Sequence, residues 1–276
     1  MAPSNSSSSP SSLAGKSALV TGGSRGIGAA IALQFAKKGI AGLAVTYANS
    51  KEAADAVLAE CRALGVAKTV AVHASLLDPE IGPNLIPKVL AGLETKTLDI
   101  IVNNAFVADF ATMQPFESIS LDGFSKQMNG NVFGMISIIQ AALPHLPAKG
   151  GRVINTSSVA SKIGNNDPVI VYGASKAAVD SITRSLAVVY GAKTGATFNS
   201  VSVGATLTEA TKKVVEAGGQ QIIDDNVADV TAEKRMGLPE DIALVFGFLA
   251  SEEARWINGA NVAANGGAKS MLALQG

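Results

Sequence analysis

The residues of this chain best suited to chemistry stand in two places. Between an apolar run and a helix-forming stretch lies Thr21-Gly22-Gly23-Ser24-Arg25-Gly26-Ile27-Gly28. Glycines at this spacing let a turn close tightly and let backbone N–H groups approach a diphosphate at the positive end of the following helix. A Gly-rich turn alone is weak; between the first strand and the first helix of an alternating chain it points to a dinucleotide. The second place is Tyr172 and Lys176, four positions apart in a helical pattern and so on one face. Such pairs are common on exposed helices, and their meaning depends on their surroundings.

Both sites need a scaffold. Short β-branched or aliphatic runs stand at Ala18–Thr21, Gly42–Tyr47, Thr69–His73, Asp99–Asn103, Arg152–Thr156, Ala196–Val203 and Ala260–Ala263. Helical patterns separate them at Ile27–Lys38, Lys51–Leu64, Pro83–Leu93, Leu121–Leu146, Tyr172–Ala192 and Pro239–Ala250. The alternation predicts an α/β fold: a single doubly wound Rossmann-type domain, its mostly parallel seven-stranded sheet flanked by helices. The runs are nearly unbroken apolar, as strands buried on both faces are. The polar stretch 206–236, with Gly218-Gly219 and Asp224-Asp225, breaks the rhythm. Ligands of open α/β sheets bind beyond the carboxyl ends of the strands, so 206–236 is expected to be a substrate lid; an insertion without function is the other reading.

Composition excludes several classes. With 22 basic and 22 acidic residues the net charge is +0, which offers no footprint for nucleic acid or an acidic membrane. No apolar run reaches membrane-spanning length. Cys61 is the sole cysteine and His73 and His145 the only histidines, so no internal disulfide forms and no metal site is expected. MAPSNSSSSPSS has too little apolar content to order itself and lacks the pattern of a secretory signal. Residues 1–13 are read as a disordered Ser/Pro-rich tail, 14–276 as the domain, and the protein as cytoplasmic.

The end of the second strand selects the cofactor. A carboxylate there would hold a ribose 2′-OH and repel a 2′-phosphate. Here the chain reads Thr46-Tyr47-Ala48-Asn49-Ser50, without an acid, and Arg25 is a charged donor for a phosphate. Tyr47, Asn49 and Ser50 add hydrogen-bonding groups. NADP(H) is therefore expected over NAD(H).

TGGSRGIG (21–28), NNA (103–105), NVFG (131–134), INTSSVAS (154–161), YGASK (172–176) and RMGLPEDIA (235–243) follow one another in this order. In these segments the chain resembles the short-chain dehydrogenase/reductase family over residues 14–270. TYANSKEAA (46–54) resembles NADPH-dependent members such as fungal polyketide and naphthol reductases. The resemblance implies that Tyr172 is the proton donor to a substrate carbonyl. Lys176 would favour the phenolate, since free tyrosine titrates only at about 10, and would bond the nicotinamide ribose. Ser158, chosen over Ser157 because Val159-Ala160 follow it, would bond the same carbonyl oxygen, and Asn131 would hold water linking Lys176 to solvent. It also implies that Gly22, Ser24, Arg25, Gly26, Ile27, Gly28, Asn103, Ala105, Gly204, Thr206 and Thr208 line the cofactor.

Four positions depart from the family pattern. Ser75 replaces an acid after the third strand, and Phe106 replaces the glycine after Asn103-Asn104-Ala105. Phe106 either shapes the substrate site or packs outside it. Val203-Gly204 lacks a preceding proline, which predicts a less rigid loop. Asn265 stands where an Asp is common. The departures indicate a specialised member: an NADPH-dependent reductase of a small or medium apolar carbonyl metabolite. Asp167, before Pro168, is either a turn residue or an added carboxylate near the site. The latter motivates an alternative, an imine reductase or cofactor-assisted cyclase in alkaloid biosynthesis. A nucleotide-binding scaffold would require a lost catalytic group, and none is lost. The family resemblance further implies that 121–146 and 172–192 pair across a two-fold axis, giving a homodimer or homotetramer.

Overall fold

A computed structural model of the chain describes residues 9–107, 112–216 and 220–272. Seven strands form one sheet in the order β3-β2-β1-β4-β5-β6-β7. They are β1 (Ser17–Val20), β2 (Gly42–Tyr47), β3 (Lys68–His73), β4 (Ile100–Asn103), β5 (Arg152–Ser158), β6 (Thr197–Val203) and β7 (Asn261–Ala264), and every neighbouring pair is parallel.

The strands read as unbroken apolar runs because each feeds two cores. Ala18 and Val20 of β1 point to one face, where α1 (Gly26–Lys37), α2 (Lys51–Ala63) and α9 (Pro239–Leu249) supply Ile31, Phe35, Leu58 and Phe246. Leu19 points to the other face, onto α3 (Ile81–Gly92), α5 (Gly134–Ala142) and α6 (Ile170–Thr194), among them Ile86, Ile138 and Val179. Such two-sided burial is the usual state of a parallel sheet. Each face removes several large aliphatic side chains from water, at about 1.5–3 kcal/mol apiece. Chain order reverses between β1 and β4, and the crevice beyond their carboxyl ends is where such sheets bind ligands.

Two expectations need correction. The apolar stretch 121–146 is not one helix: α4 (Leu121–Met128) passes into a π-helical turn at Asn129–Phe133 before α5, and a 3₁₀ turn at Leu143–His145 ends it. The tail is shorter than 1–13. Leu13 is fully buried, Pro10 accepts the Glu252 N–H at 3.1 Å and Ser11 accepts Lys38 Nζ at 2.9 Å, so residues 9–13 are held on the body; 1–8 lie outside the described residues. The stretch 206–236 carries α7 (Glu209–Glu216) and α8 (Gln220–Asp229), while Gly218-Gly219 lie outside the described residues.

Candidate active site

Thr21–Gly28 turns from β1 into α1 with Gly22 at φ +64° and Gly26 at φ +55°, left-handed backbone that glycine adopts without strain. Gly28 cannot carry a side chain, because a Cβ there would stand 2.2 Å from the Gly22 carbonyl oxygen. The turn is gripped from both flanking strands. On the β2 side, the Thr46 hydroxyl accepts the Gly22 N–H at 2.9 Å and its carbonyl accepts the Gly23 N–H at 3.0 Å. After β4, Asn104 Nδ2 donates to the Thr21 carbonyl at 3.0 Å, and Thr21 Oγ1 accepts the N–H groups of Asn104 and Ala105 at 2.9 and 3.0 Å. Nothing in the sequence singles out Thr46. Thr21 and Asn104 lie inside recognisable motifs, yet they act on each other across 83 positions, which only the β1–β4 register brings together.

The turn fits a dinucleotide phosphate. The start of α1 has neither a side-chain cap nor an acid in its first turn, so its N–H groups are open to an anion. Arg25 precedes it, exposed, its guanidinium 3.6 Å from Glu209 at the head of α7. Neighbouring β2 ends without a carboxylate, and Tyr47 there packs edge-on against His73 at 5.6 Å, with Asn49 exposed. Ser50 also shapes the fold, because its hydroxyl accepts the Ala53 N–H at 3.1 Å as the N-cap of α2.

The reacting groups meet at the end of β5. Ser158 closes that strand, its hydroxyl accepting the Ala160 N–H at 3.2 Å, and Tyr172 stands in the first turn of α6. The pleat turns Ser157 to the opposite side, where it is buried with its hydroxyl unpaired, so the two serines are separated by strand alternation. One turn beyond Tyr172, Lys176 is 3% exposed and donates through Nζ to the Thr156 carbonyl at 2.9 Å. That Nζ lies 5.8 Å from the Tyr172 ring centre and 5.9 Å from that of Phe106, and the two rings meet edge to face at 6.1 Å. Phe106 therefore stands beside Tyr172 and Lys176.

Charge in this cluster is governed by loss of water. Burial pushes the Tyr172 phenol up, with the Ser158 hydrogen bond pulling the other way. Burial brings Lys176 down to about 8, against the attraction of Asp180.

Asn131 sits in the π-helical turn, a distortion that often marks functional positions in helices. Its amide is fully committed: Oδ1 accepts the Val107 N–H at 2.8 Å, and Nδ2 donates to Gln127 Oε1 at 2.8 Å and Ser175 Oγ at 3.2 Å. Ser175 in turn donates to the Tyr172 carbonyl at 2.7 Å. Beside it a cavity of about 10 Å³ is bounded by Asn131, Lys176, Thr156, Asn103 and Thr21, close to the size of one water. Asn103 Oδ1 and Thr156 Oγ1 on its walls are buried without a protein partner, and Asn103 Nδ2 is fixed by Asn155 at 2.9 Å.

Beyond β6 the loop has no proline and is held by hydrogen bonds. Leu207 N–H bonds the Gly237 carbonyl at 2.8 Å, Gly237 N–H bonds that of Ala205 at 3.0 Å, and Gly204 packs so closely on Asn265 that a Cβ would lie 2.7 Å from its Cα. The Thr206 hydroxyl donates to the Gly204 carbonyl at 2.9 Å, and Thr211 knits the loop by donating to the Thr206 carbonyl at 3.0 Å. Thr208 lies over the phosphate turn, within 3.6 Å of where a Gly26 Cβ would be. Asp167 is exposed, and its Oδ1 accepts the Phe116 N–H at 3.1 Å, tying two loops at the mouth.

Known proteins agree with this geometry. The family model described as enoyl-(acyl carrier protein) reductase matches residues 22–269. The short chain dehydrogenase asqE of Emericella nidulans is 50% identical over 263 residues, covering 95% of this chain and 97% of that protein. A Burkholderia cenocepacia short chain dehydrogenase, solved in complex with NADP, superposes with a TM-score of 0.81 at 36% identity, covering 93% of this chain and 99% of that one. LugOII, described as catalysing keto-reduction at C1 during lugdunomycin biosynthesis, gives a TM-score of 0.81 at 33% identity over 93% of this chain and 98% of its own. This chain belongs to the short-chain dehydrogenase/reductase family and is an NADP(H)-dependent oxidoreductase.

Proposed function

We propose that the substrate is a ketone on a small or medium apolar metabolite, and that Tyr172 protonates its oxygen. The observation that carries this reading is the placement of Tyr172 in the first turn of α6 and Ser158 at the end of β5, with Lys176 buried one turn beyond Tyr172 and its Nζ 5.8 Å from that ring, at the mouth of a dinucleotide crevice. The turn at Gly22–Gly28, Arg25, the β2 end at Tyr47–Ser50 and Gly204–Thr208 would hold NADPH, which when bound would supply the hydride for the carbonyl carbon. Ser158 Oγ and Tyr172 Oη hold the carbonyl oxygen, and the Tyr172 proton passes to it as the alcohol forms. A phenol raised by burial is protonated at neutral pH, the form that a reducing direction requires. Lys176 stabilises the phenolate left behind, and the small cavity against Asn131, with its orphaned Asn103 and Thr156 oxygens, suits a water that returns a proton from solvent.

Phe106 gives the substrate a flat apolar wall beside Tyr172, and exposed Phe116 lies across the mouth. The imine or cyclase reading gains no support from Asp167, whose carboxylate is engaged by the Phe116 backbone. Tyr172→Phe should lower turnover by about 10²–10⁴-fold, the usual contribution of a placed acid, with NADPH affinity retained. Undiminished NADPH oxidation against ketones in that variant would overturn the mechanism.

The active unit is a homodimer or homotetramer. Leu121 is 80% exposed and Val188 83%, with Phe124, Phe133 and Val189 also outward on α4, the π-helical turn and α6, an apolar surface suited to a second copy. Light scattering should return at least twice the chain mass; a monomer would refute the pairing.

A further inference from the structure

Asp180 is a buried carboxylate that the proton transfer above does not use. It lies on α6 one turn beyond Lys176, on the same face, and is 4% exposed. Burying a carboxylate is expensive unless it is paired or well bonded. Among the described residues no Lys or Arg lies within ion-pair distance of it. Its oxygens are held by neutral donors: Ser161 Oγ bonds Oδ2 at 2.7 Å from the 3₁₀ turn after β5, and Asn261 Nδ2 bonds Oδ1 at 2.9 Å from β7. Asn261 is itself fixed on Ser200 Oγ at 2.8 Å. If Asp180 only tied α6 to these elements, a neutral amide would serve without the cost of a buried charge.

The charge has one recipient. Lys176 is dry, and its Nζ donates to the neutral Thr156 carbonyl. Tyr172 is the other titratable group beside it. The π-helical turn, β4 and β6 present no ionisable side chain to it, and Arg152 sits at the far end of β5 on Glu252. Lys162, after the 3₁₀ turn, is exposed, and the Asp122–Lys126 pair of α4 lies at the surface. Asp180 alone attracts a proton to Lys176, and burial alone opposes it.

We propose that Asp180 is a positioning residue for the reaction: its buried negative charge, locked by Ser161 and Asn261, keeps Lys176 an ammonium at neutral pH. The role in turnover rests on the ketone-reduction reading; the action on Lys176 does not. Asp180→Asn keeps the size and the acceptor for Asn261, with the Ser161 hydroxyl turning to accept from the new amide N–H, while removing the charge. Lysine-labelled full-length protein, with the Lys176 signal assigned through Lys176→Arg, reports its titration directly by NMR without substrate. The midpoint should fall by about one pH unit, the lower end of the effect of a nearby opposite charge. The alkaline limb of kcat/KM should fall with it, costing about fivefold at pH 8. A structural role alone would lower melting temperature or rate at every pH and leave both midpoints in place. Asp180→Ser gives the same neutralisation if the amide variant does not fold. An unmoved Lys176 midpoint in a folded variant overturns the proposal. A moved midpoint with an unmoved kinetic limb overturns the role in the reaction, and no NADPH oxidation by the unaltered enzyme with any ketone points instead to failure of the ketone reading.

Discussion

The floor and the mouth of the crevice are built from opposite materials. The floor, at the ends of β1, β4 and β5, is a set of short polar side chains: Thr21 and Asn104 each bond the other's backbone, and Asn103 bonds Asn155 and Asn131 bonds Gln127 and Ser175 side chain to side chain. The mouth carries exposed Phe106, Phe116 and Leu207, the first of them aromatic beside Tyr172, the second held through its N–H by Asp167. Buried polar groups that satisfy one another fix atoms in place, which transition-state chemistry needs. Apolar loop surface fixes little but accepts shape, which substrate choice needs. Floor substitutions should therefore change rate and stability steeply, and mouth substitutions should redistribute specificity.

Lys176→Met is the severest test of the floor. Losing a placed cation should cost about 10²–10³ in kcat. The same change should alter stability with a definite pH signature. Lys176 titrates at about 8 when folded, below its ordinary 10.5. Between these values the unfolded chain binds more protons, so stability of the unaltered protein rises with pH there. The penalty of holding a buried ammonium is complete below about 8 and gone above about 10.5. Relative to the unaltered protein, the methionine variant should lose about 3 kcal/mol of its standing between pH 7 and 10.5, as read by denaturant unfolding. A flat difference would mean that Lys176 is not a dry cation.

Phe106→Ala addresses the boundary between the two regions, since this ring touches Tyr172 and also faces solvent. Removing an apolar wall of this size should raise KM for bulky ring ketones by about 10–100-fold, at 1–3 kcal/mol of lost contact, and leave small aliphatic ketones and NADPH affinity nearly unchanged. Equal losses for both ketone classes would assign Phe106 to the floor instead.

The same division governs what could be read from the sequence. The sheet is legible because two-sided burial writes each strand as an apolar run, and α1 because Gly28 must lie against Gly22. The Tyr172–Lys176 pair is legible because helix periodicity is local. The partners of the floor are not. Asn103 faces Asn155 only through the β4–β5 register, a pairing that no local pattern carries. The break at Asn129–Phe133 is hidden inside a continuous apolar stretch, although Gly130 marks it: a Cβ there would meet Val107 Cγ2 at 2.1 Å, so the helix passes hard against the loop after β4. Leu13 escapes a local reading because one apolar residue after a serine run looks like tail until Lys38, whose carbonyl accepts its N–H at 2.9 Å, is folded beside it.

The smallest effect is expected at Asp167, and it discriminates most sharply. If its carboxylate moves protons, Asp167→Asn must lower turnover by about 10²-fold or more. If it is a latch, accepting the Phe116 N–H from an exposed position, the amide oxygen of asparagine replaces it. An exposed hydrogen bond of this kind contributes about 0.5–1.5 kcal/mol, and asparagine retains most of it. Turnover should then stay within about threefold, with any change confined to KM of large substrates, because the latch sets the distance between the loops holding Phe116 and Tyr172. Asp167→Ala, which removes the acceptor, should widen that KM effect without touching kcat. A kcat collapse shared by both variants would move Asp167 from the mouth to the floor and restore proton handling by a second carboxylate.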